Sequence, residues 1–246
     1  MSDQPLDGAV ALVTEAGGGI GAATARRLAR EGAAVALLAS RADRLTQVAD
    51  DIAGLGGHAV PVAADVTGPD GAEDAVQEAL DKLGRLDVLV NSAGIMLLNS
   101  ALHTTVEEWD RMVARNVEAM LHVTHAAVPH LIYAASTSPR QVADLVNVGS
   151  TAGRVARRGS SVYSLTQAGL NAFTESLRQE LLGERVRVSV VEPGLADTEL
   201  NDRLGEFGGA GALRAEDVAD AIGYIVTRDR RVAVNQLMVR GGDQAW

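Results

Sequence analysis

Ala9-Val10-Ala11-Leu12-Val13-Thr14-Glu15-Ala16-Gly17-Gly18-Gly19-Ile20-Gly21 is the stretch whose reading decides the fold. Its first five residues are apolar without interruption, as in a strand buried on both faces of a parallel sheet. It then breaks into a glycine cluster, and residues with helical spacing follow. Glycines let backbone amides approach a pyrophosphate, and the start of a helix supplies partial positive charge there. A glycine cluster alone could be a ligand-free turn. Strand before, helix after and a second apolar run downstream, Val35–Ala39, make the dinucleotide reading the stronger one.

Further short apolar runs succeed it: Ala59–Ala63, Leu86–Val90, Leu145–Val148, Val186–Val191 and Leu237–Val239. Between them lie helically spaced segments, such as Ala72, Val76, Ala79, Leu80 and Leu83. Strand and helix in alternation predict an α/β fold, a doubly wound parallel sheet of about seven strands. No linker or repeat divides residues 1–246, so one domain is expected. Two stretches depart from the rhythm. Ala134–Gln141 reads as a polar surface loop before the fifth strand. Gly194–Leu213, rich in glycine and following the sixth strand, reads as a substrate lid on the ligand side of the sheet.

At the end of the second apolar run stand Ser40 and Arg41, with Arg44 one turn on. An acid there would suit the ribose hydroxyls of NAD. Arginine suits the 2′-phosphate of NADPH through bidentate, charge-assisted bonds. A solvated helix start is the plainer alternative.

Composition bounds the function. The chain has 246 residues, 47% hydrophobic and 22% charged, enough for a sizeable core. There is no cysteine, which excludes disulfides and thiol chemistry. No apolar run approaches the ~20 residues of a membrane span. Met1–Gly8 lacks the basic start and apolar run of a signal peptide, so a cytoplasmic enzyme is expected. A net charge of −10 argues against nucleic acid as a partner. Nearly all basic residues are arginine; Lys82 is the single lysine and falls at an expected helix end.

Candidate chemistry gathers between Ser150 and Gln167. If Tyr163 opens a helix, Gln167 shares its face one turn later. A strand ending near Ser150 aims a hydroxyl at the same point. Gly149-Ser150-Thr151-Ala152-Gly153 is not a hydrolase elbow. Arg154, Arg157 and Arg158 line either a pocket mouth or a solvated loop. Met96, Leu97 and Leu98 form a pocket wall or ordinary core. His122, His125 and His130 lack an acid at ligand spacing, so a helix face is the reading and no metal is expected.

Together these motifs resemble the short-chain dehydrogenase/reductase family over nearly the whole chain. Thr14, Gly19, Ile20 and Gly21 match its Thr-Gly-x-x-x-Gly-x-Gly loop, within which Gly17 and Gly18 keep the backbone permissive. Asp65-Val66 matches the adenine contact, and Asn91-Ser92-Ala93-Gly94 its Asn-Asn-Ala-Gly turn. Asn116, Ser150 and Tyr163 match the active-site asparagine, serine and tyrosine; Pro193-Gly194 with Thr198 matches the nicotinamide-side turn. Ala93–Leu98, Leu177–Glu180 and Asp197–Leu200 are most similar to clavulanic acid dehydrogenase and related actinobacterial enzymes. The resemblance implies a Rossmann-like sheet, NAD(P) at its carboxyl edge and a homo-oligomer, a tetramer or dimer. It implies hydride transfer to or from a small-molecule carbon, in secondary metabolism. Tyrosine handles the proton, serine positions the oxygen, asparagine holds a water, and a lysine one turn after the tyrosine binds ribose and lowers the tyrosine pKa.

Two positions depart from the pattern. Glu15 replaces the first loop glycine; at positive φ a glutamate costs on the order of 1 kcal/mol. Gln167 replaces the lysine. Its amide can still bond ribose hydroxyls, but it carries no charge, so Tyr163 should titrate near the free value of about 10. A neutral phenol is a poor base but a serviceable acid. The expectation is an NADPH-dependent reductase with little alcohol oxidation, acting on a carbonyl or on an iminium that needs no proton donor. Rival readings are a non-catalytic NADPH-binding homologue and a redox-neutral dehydratase or cyclase.

Overall fold

A computed structural model describes residues 4–92, 94–197 and 212–244. The chain alternates strand and helix from the start: β1 (Val10–Thr14), α1 (Gly19–Arg30), β2 (Ala34–Ala39), α2 (Ala42–Gly54), β3 (His58–Ala63), α3 (Pro69–Leu83) and β4 (Val88–Asn91). Then come α4 (Val106–Val113), a π turn (Ala114–Glu118), α5 (Ala119–Thr137), β5 (Ala143–Val148), α6 (Ser161–Glu180) and β6 (Val186–Pro193). The short strands β7 (Ala196–Asp197) and β8 (Leu213–Arg214) precede α7 (Ala215–Val226) and β9 (Gln236–Val239).

Seven strands form one parallel sheet in the order β3-β2-β1-β4-β5-β6-β9. The apolar run that opened the sequence is its centre: Val10–Thr14 is wholly buried between β2 and β4. Strand order reverses at β1, and a crevice opens there at the carboxyl ends, the usual ligand position in open α/β sheets. Two apolar layers sandwich the sheet. Leu28, Val35, Val90 and Ile222 belong to the layer under α1 and α7; Leu12, Leu89, Leu131 and Leu145 belong to the layer under α3 and α5. The single-domain, seven-stranded expectation therefore holds.

Local signals set the helix ends. α4 opens with a capping box in which Thr105 accepts from the Glu108 amide and Glu108 accepts from the Thr105 amide. α3 starts with proline and stops at Gly84, whose φ of 80° suits a residue without Cβ.

One expectation fails. Ala134–Gln141 is not a loop throughout, because α5 continues to Thr137. Ala134 and Ala135 are buried, and Ser136 and Thr137 return their hydroxyls to the Tyr133 carbonyl at 2.7 and 2.9 Å. Alanine burial and back-bonding keep the polar stretch helical; the loop is confined to the turn Ser138–Gln141. Of the expected lid, only the ends are described, and they pair as the parallel ladder β7–β8. Thr198 and Ala93, both expected cofactor contacts, lie outside the described residues.

The amino-terminal edge of the sheet is locked by charge. Asp144, fully buried, receives the Arg187 guanidinium at 2.7 and 3.0 Å and Arg140 at 2.7 Å. Asp87, also fully buried, receives Arg85 at 2.6 and 2.8 Å and the Val10 amide at 3.0 Å.

Candidate active site

Three connected cavities run along the carboxyl edge. The first lies between Ser40, Asp65, Val66 and Arg115. The second, about 190 Å³, follows Gly17–Gly21 and includes Ser40, Arg41 and Gly94. The third, about 380 Å³, holds Ser150, Tyr163, Pro193 and Gly194. Ser40 joins the first to the second, and Ile20 joins the second to the third. Thr14, Gly17–Gly21, Ser40, Arg41, Asp65, Val66, Gly94, Ser150, Tyr163, Pro193 and Gly194 line these cavities, whereas Asn91, Asn116 and Gln167 are buried behind them.

The glycine loop is built for close approach. Gly18 caps α1 without a side-chain bond, and no acid stands in the first turn, so the amides and the positive end of the helix face the groove. A Cβ on Gly21 would sit 2.3 Å from the Glu15 carbonyl oxygen, so only glycine fits. Glu15 adopts φ 51°, the left-handed conformation expected to burden it. Its carboxylate lies 3.5 Å from the Arg115 guanidinium, both half exposed. A pair so open to water contributes about 0–1 kcal/mol, which offsets part of the backbone strain. Arg115 also helps hold the Asp65 carboxyl below its ordinary pKa, though the larger cause is hydrogen bonding from the Thr67 amide and hydroxyl.

Asn91 sits beneath the groove. It is buried, and its amide donates to Thr124 Oγ1 and Asn147 Oδ1, both at 2.9 Å, while Asn147 passes a bond to Thr174 at 2.8 Å. Thr14 accepts from the Ser92 amide at 2.9 Å, tying β1 to the turn after β4. Asn116 lies on the π turn and is buried. Its Oδ1 accepts from the Ile95 amide at 2.7 Å, and its Nδ2 donates to the Ile95 carbonyl and to Thr166 Oγ1. The side chain is a clamp between the β4 turn and α6.

Ser150 follows β5 by two residues and caps a 3₁₀ turn, Thr151–Gly153, accepting from the Ala152 amide at 3.1 Å. Tyr163 is the third residue of α6, as the helical spacing required. Burial pushes its phenol above the ordinary tyrosine pKa, against a smaller opposing pull from its hydrogen bond with Ser150. Gln167 is 4% exposed, and its Oε1 is buried with no hydrogen-bond partner. Lys82 substitutes for nothing here: it ends α3 and bonds Glu78 at 2.6 Å and the Pro61 carbonyl at 2.8 Å.

Sequence reasoning missed a buttress. Glu192 near the end of β6 is fully buried yet satisfied on all sides, by Arg154 at 2.8 and 3.2 Å, Asn171 at 2.8 Å and Gln236 at 2.7 Å. It fastens the loop after Ser150 to the sheet and to α6. Arg115, Gln236 and Asn171 carried no sequence signal, because their partners are distant in the chain.

Comparison with known proteins decides what this constellation belongs to. The model of the family described as short chain dehydrogenase matches residues 9–207. The chain belongs to that family. An uncharacterized oxidoreductase of Staphylococcus epidermidis is 34% identical over 94% of this short-chain dehydrogenase and 96% of its own length. A glycine betaine reductase of Emericella nidulans is 36% identical over 98% of this chain, which spans 19% of that protein. A short chain dehydrogenase from Burkholderia cenocepacia in complex with NADP is 32% identical, covers 97% and 98% of the two chains and superposes with a TM-score of 0.85. A Mycobacterium marinum member reaches a TM-score of 0.90 at 28% identity, with 99% of both chains covered. This short-chain dehydrogenase is therefore an oxidoreductase by family, and no described helix is long and apolar enough to cross a membrane.

The residues fit a nicotinamide dinucleotide. The cavities share lining residues along the carboxyl edge, the glycine loop admits only glycine at position 21, and the Gln167 oxygen is a buried acceptor without a partner. The metal reading of His122, His125 and His130 has no further support: no group of three ligating side chains occurs among the described residues.

Proposed function

We propose that this chain is an NADPH-dependent reductase of a small molecule, in which Tyr163 stays a neutral phenol across the physiological range. The observation that carries this is the pairing of a partly buried tyrosine, its phenol pushed up by desolvation, with an uncharged, buried glutamine one helical turn away. Thr14 and Gly17–Gly21 would hold the pyrophosphate, Ser40 and Arg41 the 2′-phosphate, Asp65 and Val66 the adenine side, Gln167 a ribose hydroxyl, and Pro193–Gly194 the nicotinamide side. Bound there, the cofactor supplies a hydride. Ser150 orients the acceptor oxygen, and the Tyr163 hydroxyl gives that oxygen its proton. Asn116 keeps the π turn in place and would hold a relay water there.

An iminium acceptor needs no proton in the hydride step, so a site without the lysine suits it as well as a ketone. Resemblance to clavulanic acid dehydrogenase supports a place in secondary metabolism. Leu165 on α6 and Leu121 on α5 are 64% and 36% exposed, and such apolar side chains support pairing of these helices with a second copy.

The test is a pH profile. The overall equilibrium ties the two directions together at any one pH, so their ratio says little about the enzyme. A neutral Tyr163 predicts kcat/KM for reduction that is flat through pH 9, and oxidation that rises tenfold per pH unit over the same range. A fall in reduction beginning near pH 7 would overturn the reading. Fluorescence titration with NADPH and NADH tests cofactor choice: Arg41→Asp should cost about tenfold or more in NADPH affinity, one charge-assisted contact, and leave NADH little changed.

A further inference from the structure

We propose that the substrate carries an oxyanion, a carboxylate or a phosphate ester, and that Arg157 and Arg158 bind it at the mouth of the 380 Å³ cavity. The reductase reading above places the reacting carbon at Ser150 and Tyr163; the anion site rests on that reading only for which end of the ligand reacts.

The cavity's charge runs against that of the whole protein. The chain has 32 acidic residues against 22 basic ones. Yet four arginines, Arg154, Arg157, Arg158 and Arg240, line this cavity, and none of its described lining residues is acidic. Two of the four are occupied. Arg154 is neutralised by buried Glu192, and Arg240 interacts within the chain. Arg157 and Arg158 are exposed, and neither pairs with a carboxylate among the described residues.

The loop that carries them is fastened at both ends. Ser160 Oγ receives the Arg157 amide at 3.2 Å and donates to the Arg157 carbonyl at 2.8 Å. The Gly159 carbonyl accepts from the Asn99 amide at 2.9 Å. Two guanidinium forks therefore stand on a positioned turn directly between the Ser150 cap and the start of α6. Arginine forks match carboxylate and phosphate geometry. The cofactor's pyrophosphate does not account for them, because the Gly17–Gly21 groove has its own lining, which includes neither residue.

Met96, Leu98, Val155, Leu195 and Met238 supply apolar walls. The complementary ligand has an apolar body, a reducible carbon at one end and a negative group at the other. Its size suits a free small molecule, which a cavity of this volume encloses.

Calorimetry on the NADP-loaded protein tests this without turnover. The probes are hexanoate, hexyl phosphate and the neutral isostere hexanamide. The expected result is that at least one anion binds about tenfold or more tightly than the amide, one charge-assisted pair in a partly exposed site. The gap should shrink below about twofold in Arg157→Ala/Arg158→Ala and invert in Arg157→Glu/Arg158→Glu. Which anion binds better identifies the carboxylate or the phosphate class. Hexanamide binding as tightly as both anions, or a gap that survives the double alanine variant, overturns the proposal. NADP affinity of the variants, measured by fluorescence, reports that they fold. A protein that selects anions but consumes no NADPH with any ketone or imine would sink the reductase reading and leave the anion site standing.

Discussion

Gln167→Lys places a charge one helical turn from Tyr163, and its effect follows from the geometry. Positions 163 and 167 lie one turn apart on the same face of α6, about 6 Å between Cβ atoms. Where the introduced ammonium stands about 6 Å from the phenolate oxygen, the two attract by about 2.8 kcal/mol at an effective dielectric of about 20. That is close to 2 pKa units. The phenolate fraction at pH 7 then rises about a hundredfold, and the weaker base reacts about tenfold more slowly if the Brønsted coefficient is about 0.5. Alcohol oxidation at pH 7 should therefore rise about tenfold, and the break in both pH profiles should move down by about 2 units. The assay is kcat/KM in each direction from pH 6 to 10.5 on a matched ketone and alcohol, with Tyr163→Phe to identify the titrating group. Superimposable profiles for wild type and Gln167→Lys would refute the argument that residue 167 sets the tyrosine's charge. A profile that shifts in Gln167→Lys and also in Gln167→Met would refute it too, because methionine brings no charge.

Three other outcomes are expected. Glu15→Gly removes a side chain from φ 51° but also its pair with Arg115, so urea unfolding should show a gain of no more than about 1 kcal/mol, and NADPH should bind more tightly once the carboxylate is gone. Asp144→Ala leaves the buried Arg187 and the largely buried Arg140 without their shared carboxylate; a loss of about 3–5 kcal/mol in urea unfolding is expected, and a loss under 1 kcal/mol would show that water replaces the acid. Tyr163 has a folded pKa raised above its unfolded value of about 10, so its contribution to stability is complete below pH 10. As pH rises further, the unfolded chain loses the proton first, and stability falls until the folded phenol also ionises. Wild type should therefore lose more stability than Tyr163→Phe above pH 10, and parallel curves would contradict the assignment.

The fold and the edge of the sheet that carries the glycine groove were legible because both depend on short-range patterns. Ala9–Val13 and Val35–Ala39 are continuous apolar runs, too short for helices and suited to burial on both faces of a parallel sheet. The glycine cluster, Ser40–Arg41 and Asp65 each follow a strand, so placing the strands placed them on one edge. Helical periodicity carried Tyr163 and Gln167 to one face of α6. The misreading at Ala134–Gln141 has the same root. Serines and threonines signalled a loop, and the signal was overridden by burial of Ala134 and Ala135 against distant residues.

By itself the sequence determined the strand and helix order, the single domain, the glycine loop after β1 and the uncharged residue one turn after Tyr163. These follow from composition and spacing within one element, where physics is local. Tertiary structure decided how charges are partnered. It turned Glu15 toward Arg115, closed Asn116 onto Ile95, buried Glu192 among Arg154, Asn171 and Gln236, and left Arg157 and Arg158 facing the cavity. Whether an ionisable side chain is spent on a neighbour or left for a ligand depends on which distant segments the sheet brings within about 3 Å, the reach of a hydrogen bond. No local pattern encodes that.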